Sequence, residues 1–153
     1  MAKIINFDMD GTLDDLYGVE NWLDKLRARD SSPYDDAVPL VHLSTIARYI
    51  HKAQHNGYTV NIISWLSKDS DPLYDMEVRY AKCGWLKKHL PSVDFDNIII
   101  VPYGVPKHTL STGILFDDEQ QNRIAWNDAD EDNHAYDETC ILDVLKLIAA
   151  GEL

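Results

Sequence analysis

The chain has 153 residues, 45% of them hydrophobic, which predicts one globular domain over 1–153 with a sizeable core. Its formal net charge of −12 argues against polymeric nucleic acid as a partner, because backbone binding needs a basic patch. No apolar run approaches the roughly 20 residues of a membrane span, so no membrane partner is expected.

The chain opens on Lys3-Ile4-Ile5-Asn6-Phe7-Asp8-Met9-Asp10-Gly11-Thr12-Leu13. Ile4, Ile5 and Phe7 read as a short buried strand, and Gly11 permits a tight turn after it. The N-terminus leads straight into this strand, so no signal peptide is expected. Residues 14–38 read as a small insertion: a turn, a weak helix over 22–30, and a loop over 30–36 whose composition is Asp-Ser-Ser-Pro-Tyr-Asp-Asp. A helix is predicted over 39–56, with Pro39 in its first turn, an apolar stripe through Leu40, Leu43, Ile46, Ala47 and Ile50, and Gly57 as its stop.

A β-branched strand follows over 58–64, ending at Ser64 before Trp65. Asp71-Pro72 opens a helix as cap and first position, and Pro91 ends it. Residues 97–101 form a third apolar strand, and 113–118 a fourth that ends in Asp117-Asp118. A short helix over 119–126, an acidic loop over 127–133, an edge strand at Ala135-Tyr136 and a last helix capped by Asp137 complete the chain. Cys83 and Cys140 form no CxxC pair, which excludes a disulfide framework or zinc site and makes a reducing cytoplasm the default location.

Strands that alternate with helices and are apolar on both faces predict an α/β fold, a Rossmann-like parallel sheet with helices on both faces and a small insertion cap after the first strand. Ligands bind such sheets outside the carboxyl ends of the strands. Asp8, Asp10, Ser64, Asp117 and Asp118 all fall at carboxyl ends. Carboxylates gathered at the end of a buried strand are costly unless a cation sits among them. Hard oxygen ligands suit Mg²⁺, which takes one or two carboxylates and keeps several waters. Each feature also has a plainer reading: an acidic turn at Asp8 and Asp10, a turn serine at Ser64, a solvated lysine at Lys107, and a capping pair at Asp117-Asp118.

Asp8-Met9-Asp10-Gly11-Thr12 after an apolar strand resembles the first motif of the haloacid dehalogenase-like phosphatases. The resemblance makes Asp8 the nucleophile and Asp10 the general acid/base. It makes Ser64, with Trp65 beside it, the phosphate-binding end of the second strand. It makes Lys107 the cation that neutralises nucleophile and phosphate, with Lys82 as a second phosphate-facing cation, while Lys87 and Lys88 are read as surface. Asp117-Asp118 resembles the acidic fourth motif, so the implied metal set is Asp8, Asp10 through its carbonyl, and Asp117 or Asp118. Glu119 and Asn122 are candidates to support that set.

The stretch from Lys82 through Trp85 to Pro91, then Lys107 and Asp117-Asp118, looks like the 5′(3′)-deoxyribonucleotidase branch. In that branch an insertion holds the base in an aromatic pocket. Tyr17, Trp22 and Tyr34 are the aromatics available for one here, although they serve equally as the insertion's own core. The resemblance implies a Mg²⁺-dependent phosphomonoester hydrolase, a 5′-nucleotidase on (deoxy)nucleoside monophosphates. The alternatives are a phosphatase for another small phosphate or a nucleic-acid end, and a non-catalytic protein-binding module of the same fold.

Overall fold

The computed structural model describes residues 2–153. Its sheet has five strands, β1 (Ile4–Phe7), β2 (Thr59–Trp65), β3 (Asn97–Val101), β4 (Ile114–Phe116) and β5 (His134–Tyr136), in the order β3-β2-β1-β4-β5. Every pairing is parallel, with Ile5 beside both Val60 and Ile114, and Ser64 beside Ile100. The chain builds from β1 outward to β3, then returns to place β4 on the other side of β1. Strand order therefore reverses between β1 and β4, and a crevice opens outside the carboxyl ends at such a reversal.

Among the described residues six α-helices connect and flank the strands: α1 (Trp22–Arg27), α2 (Ser32–Asp36), α3 (Leu43–His55), α4 (Pro72–His89), α5 (Gln120–Ala129) and α6 (Ile141–Ala149). Ile5, Phe7, Val60, Ile62, Ile114 and Phe116 share one buried cluster with the apolar stripes of α3 and α6 and with Trp85 of α4. Ile63 and Leu115 pack with Trp126 of α5 in a separate cluster. The alternation of side chains along a strand puts these sets on opposite faces.

The second face is less apolar than the sequence suggested. Asn6 and Asn61 are both buried. Asn97 Nδ2 donates to Asn61 Oδ1 at 2.9 Å, Asn61 Nδ2 to Asn6 Oδ1 at 3.1 Å, and Asn6 Nδ2 to the carbonyls of Thr112 and Ile114, each at 3.0 Å. A run of amides that all find partners avoids the penalty of unpaired buried polar groups, and it penalises any slip of register among four segments.

Three local expectations shift. Pro39 does not start α3; it bridges to Asp14, while Asp15 N donates to Val38 O at 2.8 Å and Leu40 N to Leu13 O at 2.9 Å. The backbone at Pro39 is spent closing the base of the 14–38 segment, so α3 begins at Leu43. Residues 32–36, a loop by composition, form α2, whose Tyr34 is buried among Leu16, Leu26, Leu66 and the α4 residues Tyr74, Val78 and Ala81. Tertiary burial outweighs weak local propensity there. Asp137 caps a 3₁₀ turn over Glu138–Cys140 that leads into α6, accepting from Thr139 N at 2.9 Å.

Candidate active site

The backbone of β1 delivers Asp8 to the strand-order reversal, where its N–H donates to Phe116 O at 2.9 Å. The chain then folds back: the N–H groups of Thr12, Leu13 and Asp14 all reach Met9 O, at 3.0, 2.9 and 3.1 Å. Gly11 takes φ +78° in this turn, and a Cβ on it would run into the Asp118 carboxylate and lie 2.7 Å from Tyr17 Cε2. The sequence asks for glycine here twice over, for backbone angle and for space.

Across the crevice β4 ends at Asp117 and Asp118. One ligand oxygen each from Asp8, Asp117 and Asp118 can be chosen so that all three lie within 4.8 Å of one another. Lys107, buried in a 3₁₀ turn over Lys107–Thr109, places Nζ 2.8 Å from Asp8 Oδ1 and 2.7 Å from Asp117 Oδ2. Thr12 Oγ1 donates to Asp8 Oδ2 at 3.0 Å and accepts from Asp118 N at 3.2 Å, tying the two strand ends together. Asn122 Nδ2 donates to Asp117 Oδ2 at 3.1 Å and the Glu119 N–H to Asp117 Oδ1 at 2.9 Å. Both expected supporting positions thus touch Asp117, Glu119 through its backbone.

The second carboxylate of the turn faces the other way. Lys82 of α4, 1% exposed, places Nζ 2.8 Å from Asp10 Oδ2, 2.6 Å from Ser64 Oγ and 2.7 Å from Trp65 O. The Tyr34 ring centroid lies 4.9 Å from the same Nζ. An ammonium has three N–H donors, and all three are engaged. Lys82 therefore holds Asp10 in place and has no donor left for a phosphoryl oxygen. Ser64 is fully buried beneath it. Trp65 donates its indole N–H to Val105 O at 2.8 Å.

Asp14, part of a turn by sequence, is 1% exposed. Burial first, then the charge of Asp10, pushes its carboxyl up to about 9. Asp14 Oδ1 accepts from Leu16 N at 3.1 Å, and Asp10 Oδ1 is buried with no hydrogen-bond partner among the described residues. A neutral Asp14 beside Asp10 can share its proton with that oxygen.

Burial and the Asp8 charge likewise raise Asp117 to about 6 and Asp118 to about 8, Lys107 opposing the rise at Asp117. Burial works against the Lys107 ammonium, but Asp8 and Asp117 outweigh it and hold its pKa above the ordinary value. Negative charge at the strand ends exceeds what two lysines offset, and the donors are all hard oxygens. That donor set fits a divalent cation such as Mg²⁺.

A cavity of about 300 Å³ opens over these groups. Its floor includes Asp8, Asp10, Lys107 and Asp117, and Tyr17, Trp22 and Tyr34 all line it. Tyr17 and Trp22 meet edge to face with centroids 4.9 Å apart. Tyr34 is 3% exposed and spends its face on Lys82. Tyr103 and Ser67 also line the cavity; each lies two residues beyond a strand end but in no motif, and strand-end position alone does not single them out. Thr12 stood within the quoted Asp-x-Asp-Gly-Thr string.

The five parallel strands in the order β3-β2-β1-β4-β5, with helices packed on them, make a Rossmann-like α/β fold. Among the solved structures that share it are two phosphatases. One is D,D-heptose 1,7-bisphosphate phosphatase from Burkholderia thailandensis, with TM-score 0.54 and 16% identity over 93% of this chain and 97% of that one. The other is D,D-heptose 1,7-bisphosphate phosphatase from B. bronchiseptica, complexed with magnesium and phosphate, with TM-score 0.57 and 14% identity over 99% of each chain. At these identities the likeness is one of fold. No protein-family profile matches the chain, and no curated protein matches it. Among the described residues no helix is long and apolar enough to cross a membrane.

Proposed function

We propose that this protein is a Mg²⁺-dependent phosphomonoester hydrolase whose substrates are nucleoside or deoxynucleoside monophosphates. The carrying observation is the division of labour at the end of β1: Asp8 pairs with Lys107 on the β4 side, while Asp10, two residues on, is held separately by Lys82. One carboxylate is placed to attack and another to move a proton.

Asp8 attacks phosphorus in line, a P–O bond forms to its carboxylate, and the bond to the leaving alkoxide breaks. Asp10, which enters this step as the protonated acid, gives that oxygen its proton. In the second half Asp10 takes a proton from water, whose oxygen attacks the aspartyl-phosphate and frees Asp8 and inorganic phosphate. Lys107 keeps one N–H beyond its contacts to Asp8 and Asp117, available to a phosphoryl oxygen. Asp8, Asp117, Asp118 and the Asp10 carbonyl would hold Mg²⁺, which would neutralise charge on the transferring group. Positioning and charge stabilisation carry most of such catalysis.

In this reading the chain is one domain, with residues 14–38 as its cap. Its partner is a small phosphorylated molecule and its place the reducing cytoplasm, where Cys83 and Cys140 stay free. The aromatic lining of the cavity favours a nucleotide. A phosphorylated sugar is the second reading, favoured by the names of both structural neighbours. A panel of nucleoside monophosphates, sugar phosphates and aryl phosphates, assayed with Mg²⁺ and with chelator, tests the proposal. Magnesium-dependent release of phosphate is expected, greatest with nucleotides; no release from any ester would overturn it.

A further inference from the structure

Trp65 and Tyr103 form an aromatic pair that does not belong to the 14–38 segment. Trp65 ends β2, and Tyr103 lies in the turn after β3. Their ring centroids are 5.0 Å apart and tilted by 59°. The Trp65 indole is locked by its hydrogen bond to Val105 O, and Lys107 Nζ lies 5.4 Å from its ring centroid. One aromatic wall is therefore fixed to the same lysine that pairs with Asp8.

Core packing does not explain Tyr103. It is 52% exposed. Trp65 and Tyr103 both line the cavity that holds Asp8 and Asp10, and both also line a second cavity of about 390 Å³, which reaches Lys107, Glu119 and Asn122. The pair thus belongs to the lining of both cavities, and the first of these also holds Asp8, Asp10 and Asp117. The Tyr17–Trp22 pair lines the first cavity as well. Exposed aromatics at the mouth of a charged site present flat, polarised faces, and flat rings stack on such faces.

We propose that Trp65, at the end of β2, and Tyr103, in the turn after β3, are specificity-determining residues: they stack on a flat heteroaromatic ring of the leaving group. The inference rests on the phosphatase reading and selects, within phosphomonoesters, those whose alcohol carries a planar ring.

The test is a ratio. For wild type, Tyr103→Phe and Tyr103→Ala, kcat/KM is measured for a nucleoside monophosphate and for glycerol phosphate, both with Mg²⁺. Tyr103→Ala should lower the nucleotide-to-glycerol-phosphate ratio about tenfold, mainly through KM, and Tyr103→Phe should restore it. An unchanged ratio in Tyr103→Ala overturns the inference and leaves the phosphatase reading standing. If no ester is hydrolysed, the phosphatase reading fails alone. The wall is then tested by calorimetric titration of the nucleoside monophosphate into wild type and Tyr103→Ala, where weaker binding by the variant supports stacking and equal affinity overturns it.

Discussion

Lys82 Nζ stands 2.8 Å from Asp10 Oδ2, across 72 positions of sequence, in a pocket where every other polar neighbour of that ammonium is also an acceptor. The contact sets Asp10 apart from Asp8, whose own cation is Lys107. Two neighbouring carboxylates with separate cations are constrained to separate positions, which a nucleophile and a proton carrier require.

The two lysines should therefore fail differently. Lys107→Ala removes a cation from the reacting centre and should lower kcat by about 10²-fold or more. Lys82→Ala strips the donor from Asp10, Ser64 and the Trp65 carbonyl at once, so it should lower stability by on the order of 3–5 kcal/mol as well as slow turnover. Lys87→Ala and Lys88→Ala, on exposed positions of α4, should change neither. Denaturant unfolding beside steady-state kinetics separates these outcomes; a stable Lys82→Ala with full kcat would remove Lys82 from the site.

Metal dependence gives the second prediction. Asp8→Asn should abolish turnover while the fold persists, since Lys107 keeps Asp117 as partner. Chelator should stop the wild-type enzyme, Mg²⁺ should restore it, and Ca²⁺ should restore it poorly because its coordination is larger and looser. Magnesium should also raise the wild-type Tm, by the equivalent of about 2.7 kcal/mol at a hundred times Kd. Asp118→Asn should raise the metal-free Tm at pH 8, because it removes a carboxyl that burial and Asp8 push up to about 8, and it should blunt the gain from Mg²⁺. Equal magnesium shifts in both proteins would place the ion elsewhere.

The pH dependence of stability should expose Asp14. Its ordinary value is 3.8 and its folded value about 9, so the folded chain takes up a proton that the unfolded chain lacks between those limits. Stability from this group is whole below pH 4 and declines as pH rises toward 9. Asp14→Asn carries no such penalty. Its Tm advantage over wild type, measured in chelator, should grow from pH 4 to pH 9 and then level off. A difference that stays flat with pH would mean that Asp14 is ionised in the native protein.

Much of this site's location was legible in the sequence, for a local reason. Asp8, Asp10, Asp117 and Asp118 each sit within three residues of an apolar strand, and a parallel sheet brings the carboxyl ends of its strands to one edge. Lys107 was legible as the lysine a short connection ahead of the second acidic pair. What stayed hidden depends on distant contacts. The burial of Asp14 against Asp10 arises because residues 13–15 pair with residues 38–40. The three acceptors of Lys82 come from the turn after β1 and from the end of β2, and no spacing in α4 announces them. Helix α2 exists because Tyr34 is buried against α4, although its composition reads as a loop. Tyr103 carries no motif at all, and only the two cavities it lines single it out.

Trp22 lines the same cavity as Tyr103. Trp22 opens α1 and meets Tyr17 edge to face, and it also packs partly against the cluster containing Leu16, Leu26 and Tyr34. Its ring thus has a packing role and a face on the cavity. If the cavity holds a base, Trp22→Ala removes a stacking surface worth roughly 1–3 kcal/mol. KM for a nucleoside monophosphate should rise at least about fivefold, while a small ring-less phosphate ester should lose much less. If Trp22 serves only the insertion's own packing, both substrates should suffer alike and Tm should fall, with the full cost of about 3–5 kcal/mol applying only to a wholly buried tryptophan. Trp22 is half-buried, so the packing loss should be smaller than that. Kinetics on both substrates beside a melting curve distinguishes the cases. Equal losses on both, or none on either, would sink the nucleotide as substrate and leave a general phosphatase.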